Sequence, residues 1–367
     1  MPATDILLTG DLILDEPDPD HWLSGIAAEL RAATLTIGHL EVPHTLRGRE
    51  LPGDVPAPAA DPAHLAALRR AGFAALTLGG NHIADCGAEG ISDTLAELDR
   101  LGIGHTGAGR NLEQARRPAW LRAAALDVAV LSYNCVGPET SWATDERAGC
   151  AYVRIDTADQ SRIWPGAALS RPDPASLARM AADIAAARRA DLVIVALHKG
   201  IVHTPAVLAP YERALAQAAI DAGADVVVGH HAHILRGVEF YRGKPIYHGL
   251  GNGCVVTRAL NPGQEHAARA AWAAKRKELF GFEPDPAYTL APFHPQAVHS
   301  ILARIRIDAN GHLQAGFVPV FVEAPGRPVL ADETRAQAVN DYVAHITQLA
   351  GLPRLQQQQQ AGMVWLT

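Results

Sequence analysis

The chain has 367 residues, 48% of them hydrophobic, and a formal net charge of −7, with a pI near 6.2. That is ample for a sizeable core in one large domain or two smaller ones. No basic stripe is visible, which argues against a nucleic-acid partner. No apolar run reaches the roughly 18 residues of a membrane span, and no charged n-region with an apolar h-region opens the chain. A cytoplasmic protein without a membrane partner is therefore expected. Cys86, Cys135, Cys150 and Cys254 form no C-x-x-C pair, so zinc-ribbon and thioredoxin-like motifs are absent and buried reduced thiols are expected.

In chain order, D-I-L-L-T at 5–9 reads as a short buried strand ending at Gly10-Asp11, and 20–31 as an amphipathic helix. A strand at 35–37 runs into Gly38-His39-Leu40-Glu41, and 46–60 is a loop rich in Pro and Gly. The next helix, 61–71, opens with Asp61-Pro62 and stops at Gly72. Strand 73–78 leads to Asn81, and a helix follows over 87–101. Strands lie within 121–133, and 137–175 is irregular. Helix 174–189 precedes strand 191–197, and helix 211–222 precedes strand 224–229. A hairpin is expected over 234–241 and 244–248, turning at Arg242-Gly243. Residues 256–297 break the alternation and read as an insertion with one helix and a Pro-rich stretch. Strands 298–307 and 314–322 close the fold, before a tail at 331–367 with a helix over 331–350 and a solvated glutamine run, Gln356–Gln360. The whole, 1–367, reads as a single α/β domain.

The polar points fall where strands end, which is where α/β sheets build their sites. Asp11, Glu41 and Asn81 supply oxygens; His198, His231 and His233 supply nitrogens. Such a mixed set suits Zn, Mn, Fe or Co, and two divalent ions about 3.5–4 Å apart would use a bridging carboxylate. The cluster G-H-H-A-H at 229–233 is hard to explain by packing. On an extended strand His231 and His233 point to one side and His230 to the other, as a supporting or core residue. His82 with Asp85 is either a general acid oriented by a carboxylate or an incidental helix start. Lys199, His203, His248 and Asn252 are candidate substrate contacts. The basic helix of the insertion (Arg269, Lys275, Arg276, Lys277) is either an anion-binding surface or a solvated face, and His39, His44, His64 and His105 read as surface or packing residues.

These stretches resemble the CapA family of poly-γ-glutamate capsule biosynthesis proteins, within the calcineurin-like metallophosphoesterase superfamily. The resemblance rests on L-L-T-G-D11, H-L-E41-V-P-H-T, G-G-N81-H82-I-A-D85, A-L-H198-K-G, G-H-H231-A-H233 and Y-H-G-L-G-N252, in the family's order over most of 5–255. It implies a four-layer α-β-β-α sandwich with a dinuclear site at the sheet edge. By motif, Asp11, Glu41, Asn81, His198, His231 and His233 resemble metal ligands, His82 and Asp85 the catalytic pair, and Glu41 stands where the superfamily has a bridging Asp. The chain departs from the pattern at three places. Asp11 is followed by Leu12-Ile13 rather than completing D-x-H; H-W-G is His198-Lys199-Gly200; and Y-S-L-G-N is His248-Gly249-Leu250-Gly251-Asn252. The resemblance implies a hydrolase using a dinuclear metal-bound hydroxide on a phosphoester, or on a γ-glutamyl amide. A non-catalytic capsule-polymer assembly or binding protein is the reading from a different class. The substrate expected is an anionic small molecule or polymer end.

Overall fold

The computed structural model describes residues 3–50, 58–164, 167–261, 263, 265–360 and 362–367, so the loop expected at 46–60 lies partly outside the described residues. Two sheets carry the fold. The larger has ten strands, running from Gln357–Gln360 at one edge through Met363–Leu366, Leu313–Glu323, His299–Ile307, Thr4–Leu14, Leu35–Leu40 and Phe73–Thr77 to Gly104–Thr106. Asn252–Val256 and Arg327–Leu330 join it off that path. The smaller has six, in the order Val238–Tyr241, Lys244–Tyr247, Val226–His230, Leu192–His198, Leu126–Asn134, Ala119–Ala123.

Side-chain alternation sets the layers. Ile6, Leu8 and Ile37 of the large sheet share one core with Val128, Val130, Ile194 and Val228 of the small one, so these faces lie sheet to sheet. The alternate residues turn outward. Leu7 and Phe73 join the core of helices Leu65–Ala71 and Gly87–Leu101, while Val193 and Val195 join that of helices Pro174–Ala187 and Pro210–Ala222. The architecture is the expected α-β-β-α sandwich. Helix Glu333–Leu349 adds Val339, Val343 and Ile346 to the inter-sheet core.

Helix boundaries follow local chemistry. Asp61 accepts from the Ala63 N–H ahead of Pro62, and Asp173 accepts from Ser176 ahead of Pro174. Gly72 (φ 105) and Gly223 (φ 119) close their helices in the left-handed region. Three expectations change. The helix at 20–31 is two short ones, Pro19–Leu23 and Ala27–Ala32. Between them Gly25 packs so close that a Cβ there would lie 2.3 Å from the Pro328 carbonyl oxygen. The insertion helix is likewise two, Ala267–Ala274 and Arg276–Phe280. The glutamine run forms an edge strand, its side chains mostly exposed, paired antiparallel with Met363–Leu366.

One strand positions the site. Thr4–Leu14 pairs antiparallel with His299–Ile307 over Thr4–Leu8, then parallel with Asn252–Val256 from Asp11 onward. Its register with both parallel neighbours is irregular beside Asp11, and a break of that kind re-aims a side chain. Asp11 is thereby aligned with Asn252 on one side and His39 on the other, and His39 with Thr77. The small sheet aligns His198 with Asn134 and His230. Glycines allow the backbones to close in: a Cβ on Gly10 would sit 2.0 Å from the Gly251 oxygen. Gly10→Ala should therefore lower the unfolding free energy by about 1–3 kcal/mol, the range for overpacking. Denaturant titration checks this; an unchanged midpoint would show that the strands can separate to admit a methyl group.

Candidate metal centre

At the parallel strand ends, ionisable side chains converge under almost complete burial. Asp11 (1% exposed) has its Oδ2 3.2 Å from the donating His231 backbone N–H, and 3.6 Å from His233 Nδ1. Its Oδ1 lies 3.3 Å from His230 Nδ1, at an angle that makes no hydrogen bond. His233 Nε2 stands 3.2 Å from Glu41 Oε1. His198 Nε2 is 2.7 Å from Asn81 Oδ1, and His39 Nδ1 is 2.9 Å from Thr77 Oγ1. The rings crowd one another: His39 stacks on His230 with centroids 4.4 Å apart, and His198 lies 4.8 Å from both His39 and His231.

Many polar atoms here have no hydrogen-bond partner. They are Asp11 Oδ1, both Glu41 carboxylate oxygens, His39 Nε2, His198 Nδ1, His230 Nδ1 and His231 Nε2. Buried polar atoms are nearly always satisfied, so a concentration of orphans marks a missing partner. Among the described residues, two groups could hold a metal ion, Asp11–His39–His198 and Asp11–Glu41–His233, with the donor atoms of each within 4.8 Å of one another. Asp11 is common to both. The donor set of imidazoles and carboxylates fits a borderline divalent metal.

Electrostatics agree with ligation. Burial pulls the imidazoles of His39, His230 and His231 down to about 3 and His198 well below its usual value, so all four are neutral and keep a lone pair. Burial, and then the Glu41 charge, push Asp11 up to about 7. Glu41 and His233 resist burial by attracting each other, which holds the carboxylate at about 2 and the imidazole at about 9. A cation arriving between them would displace that proton.

The structure brings Asp11, Glu41, Asn81, His198, His231 and His233 together. His231 (φ 88) and His233 (φ 51) lie past the strand end in the left-handed region, so strand alternation does not govern them. Instead the in-strand His230 faces Asp11, which corrects its expected outward direction. His39 joins the cluster as well, contrary to its reading as a surface or packing residue. Its signal was its place two residues before Glu41. His82 Nδ1 lies 2.7 Å from Asp85 Oδ2.

The four expected substrate contacts divide. His203 adjoins the cluster, its ring 5.9 Å from that of His233. Asn252 orients His233: its Oδ1 lies 2.9 Å from His233 Nδ1, leaving Nε2 toward Glu41. Lys199 and His248 are corrected, because both are fully buried in a charged network behind the site. Lys199 Nζ donates to Glu212 Oε2 at 2.9 Å and lies 3.2 Å from His248 Nδ1, while His248 Nε2 is 3.1 Å from Glu239 Oε1. Arg236 completes the network through Glu212 Oε1 at 3.3 Å and the carbonyls of Thr204 and Val207. Three of the basic helix's four residues are engaged too: Arg269 by Glu50, Arg276 by the Pro292 and Leu260 carbonyls, and Lys277 by Glu283, while Lys275 is exposed.

Residues 5–255 match the family model described as bacterial capsule synthesis protein PGA_cap, and the chain belongs to that family. The chain is similar to the capsule biosynthesis protein CapA of Bacillus anthracis, 31% identical over 186 residues that make up 51% of this chain and 41% of that protein. It is also similar to a probable polyglutamine synthesis accessory protein of Mycobacterium tuberculosis, 36% identical over 209 residues, 55% of this chain and 47% of that protein. The chain thus spans about half the length of the curated relatives it matches. Among solved structures, the calcineurin-like phosphoesterase YfkN from Bacillus subtilis aligns over 95% of this chain and 97% of its own at 13% identity and a TM-score of 0.38. A hypothetical protein from Thermus thermophilus aligns over 86% and 99% at 15% identity and a TM-score of 0.43. No chemistry follows from likenesses of that degree. Among the described residues, no helix is long and apolar enough to cross a membrane.

The lowered histidines have a consequence for stability. His39, His198, His230 and His231, with His44 and His248 (each held at about 4 by burial), resist protonation in the folded chain. Unfolded imidazoles take up protons near 6.5, so stability is full above that pH and is lost as pH falls toward the folded values. Asp11, held at about 7, Asp15, pushed up to about 6 by burial, and His233, held at about 9, work oppositely, but they are three groups against the six lowered imidazoles. The unfolding midpoint of the chelated protein should therefore drop between about pH 7 and about pH 5. A midpoint flat across that interval would show that the folded imidazoles protonate freely.

Proposed function

We propose that this member of the capsule synthesis family is a metal-dependent hydrolase of anionic substrates, with a phosphoester as its primary target. The observation that carries the reading is the set of orphaned donor atoms arranged in two groups around the shared carboxylate Asp11. In this reading Asp11, His39, Glu41, Asn81, His198, His231 and His233 hold two divalent ions, with His230 supporting them. Bound there, the ions supply Lewis acidity and neutralise charge on the substrate oxygens. The chain's own residues do the rest. Asn252 fixes the His233 ring, and Thr77 fixes that of His39. His82, oriented through Nδ1 by Asp85, offers Nε2 as the proton donor to the leaving group. Burial of the cluster strengthens each electrostatic contact.

A second reading is a polymer-assembly factor, which follows the names of the curated relatives, or an amide hydrolase acting on a γ-glutamyl chain. The same constellation can address a carbonyl carbon.

Two measurements test the primary reading. Metal content by inductively coupled plasma mass spectrometry should show about two transition ions per chain. Asp11→Asn, at the residue shared by both groups, should lose both; a fully loaded variant would remove the two-metal assignment. For His82→Ala, turnover of alkyl phosphate esters should fall about 10²- to 10⁴-fold, while nitrophenyl esters, whose leaving group needs no proton, should lose far less. Equal losses on both would remove His82 as the acid.

A further inference from the structure

The route into the cluster is narrow. Asp11, His39, Glu41 and His198 are 0–1% exposed, whereas His82 and His233 are each 8% and His203 is 6% exposed. Among the described residues, the residual exposure of the site thus lies at His82, the first flank, and at His233–His203, the second. The first flank ends in Asp85. The second is continued by segment 256–297, which lies outside the part of the chain that matches the family model.

What that segment contributes is aromatic. Phe280 and Phe282 meet the His203 ring edge-on, at centroid distances of 4.9 and 5.4 Å. Phe293 stacks on His233 at 4.7 Å and is buried, so it serves as backing. Phe280 and Phe282 are only half-buried and keep surface for a ligand. His203 has φ 55, a strained value for a residue with a Cβ, and is fixed by its N–H donating to the Ala232 oxygen at 2.9 Å. Its Nδ1 is buried without a hydrogen-bond partner. Three of the four cations of the basic helix are held elsewhere, Arg269, Arg276 and Lys277 having partners, and the exposed Lys275 is the remaining one. The chemistry of the flank is thus apolar and planar beside an anion-binding centre.

We propose that His203, Phe280 and Phe282 form a recognition wall that selects substrates with a planar apolar group next to the reacting anionic centre. This rests on the metal-centre reading of the cluster. A uniformly charged polymer end has nothing to place against the wall, whereas an aryl or similarly flat substituent stacks on it.

Calorimetric binding of phenylphosphonate and methylphosphonate to the manganese-supplied protein tests the wall without turnover. Phenylphosphonate should bind roughly three- to tenfold more tightly, the range of one aromatic contact. In Phe280→Ala/Phe282→Ala the preference should shrink below about twofold while methylphosphonate affinity holds. Phe280→Leu/Phe282→Leu, which keeps apolar bulk, gives the same reading if the alanine variant does not fold. Equal affinities in the unmodified protein, no binding of either probe, or a preference that survives both variants would overturn the proposal. A clear preference together with no turnover of any ester would leave the wall standing and remove the hydrolase reading. Turnover with no preference would do the reverse.

Discussion

Two carboxylates and a group of imidazoles have been taken out of water at one edge of the sandwich, and the rest of the structure accommodates that burial. An uncompensated charge in a protein interior costs several kcal/mol even after relaxation. Asp11 is 1% exposed and receives one backbone N–H at 3.2 Å, while Glu41 receives no hydrogen bond with good geometry. Hydrogen bonding within the chain therefore does not offset the burial. A divalent cation would do so directly, because it binds carboxylate oxygens and neutral imidazoles without needing the donors that are missing. The partner change at Asp11 and the glycine contacts behind it then have one purpose. They bring strand ends from both sheets close enough for their donor atoms to converge.

Behind that edge lies a second buried set of charges with a different character. Lys199 and Glu212 are satisfied, and Arg236 at all but its Nε, where the carboxylate–imidazole cluster is not. Buried ion pairs of this kind add little net stability, but they penalise any arrangement that breaks them. Here they tie the end of Leu192–His198 to the start of Pro210–Ala222 and, through the Thr204 and Val207 carbonyls, to the loop that carries His203. The two places beside the site where the sequence departs from the family pattern, Lys199 and His248, are in contact, with Nζ 3.2 Å from Nδ1. Two positions 49 residues apart thus belong to one buried network.

Much of this was legible in the sequence because it depends on local chemistry. Asp-Pro starts and glycine stops mark helices, and runs of β-branched residues mark buried strands. The strand-end residues Asp11, Glu41, His198, His231 and His233 could be picked out because a sheet delivers such positions to one edge. What stayed hidden depended on register and on neighbours distant in sequence. His39 and His230 join the cluster because one lies level with Asp11 and the other with His198. No local pattern reports that alignment. Lys199 looked like an anion-binding cation, since burial against Glu212 cannot be seen from either segment alone. Gly25 breaks a helix only because a later strand passes beside it.

The glutamine strand at the far edge of the large sheet has a different kind of consequence. Gln357–Gln360 pairs residue by residue with Leu366 back to Met363, and Gly362 (φ 77) makes the turn. Its four paired positions carry the same side chain, so sliding the strand by one residue presents an identical surface to solvent and to its neighbour. A slip of this kind would be ruinous in Thr4–Leu14, where it would exchange Asp11 for a leucine or a glycine. Here it changes no side chain among the four, so what fixes the register of this border lies beyond the repeat, in Leu355 packed against the inter-sheet core and in the Gln356–Thr367 backbone pair.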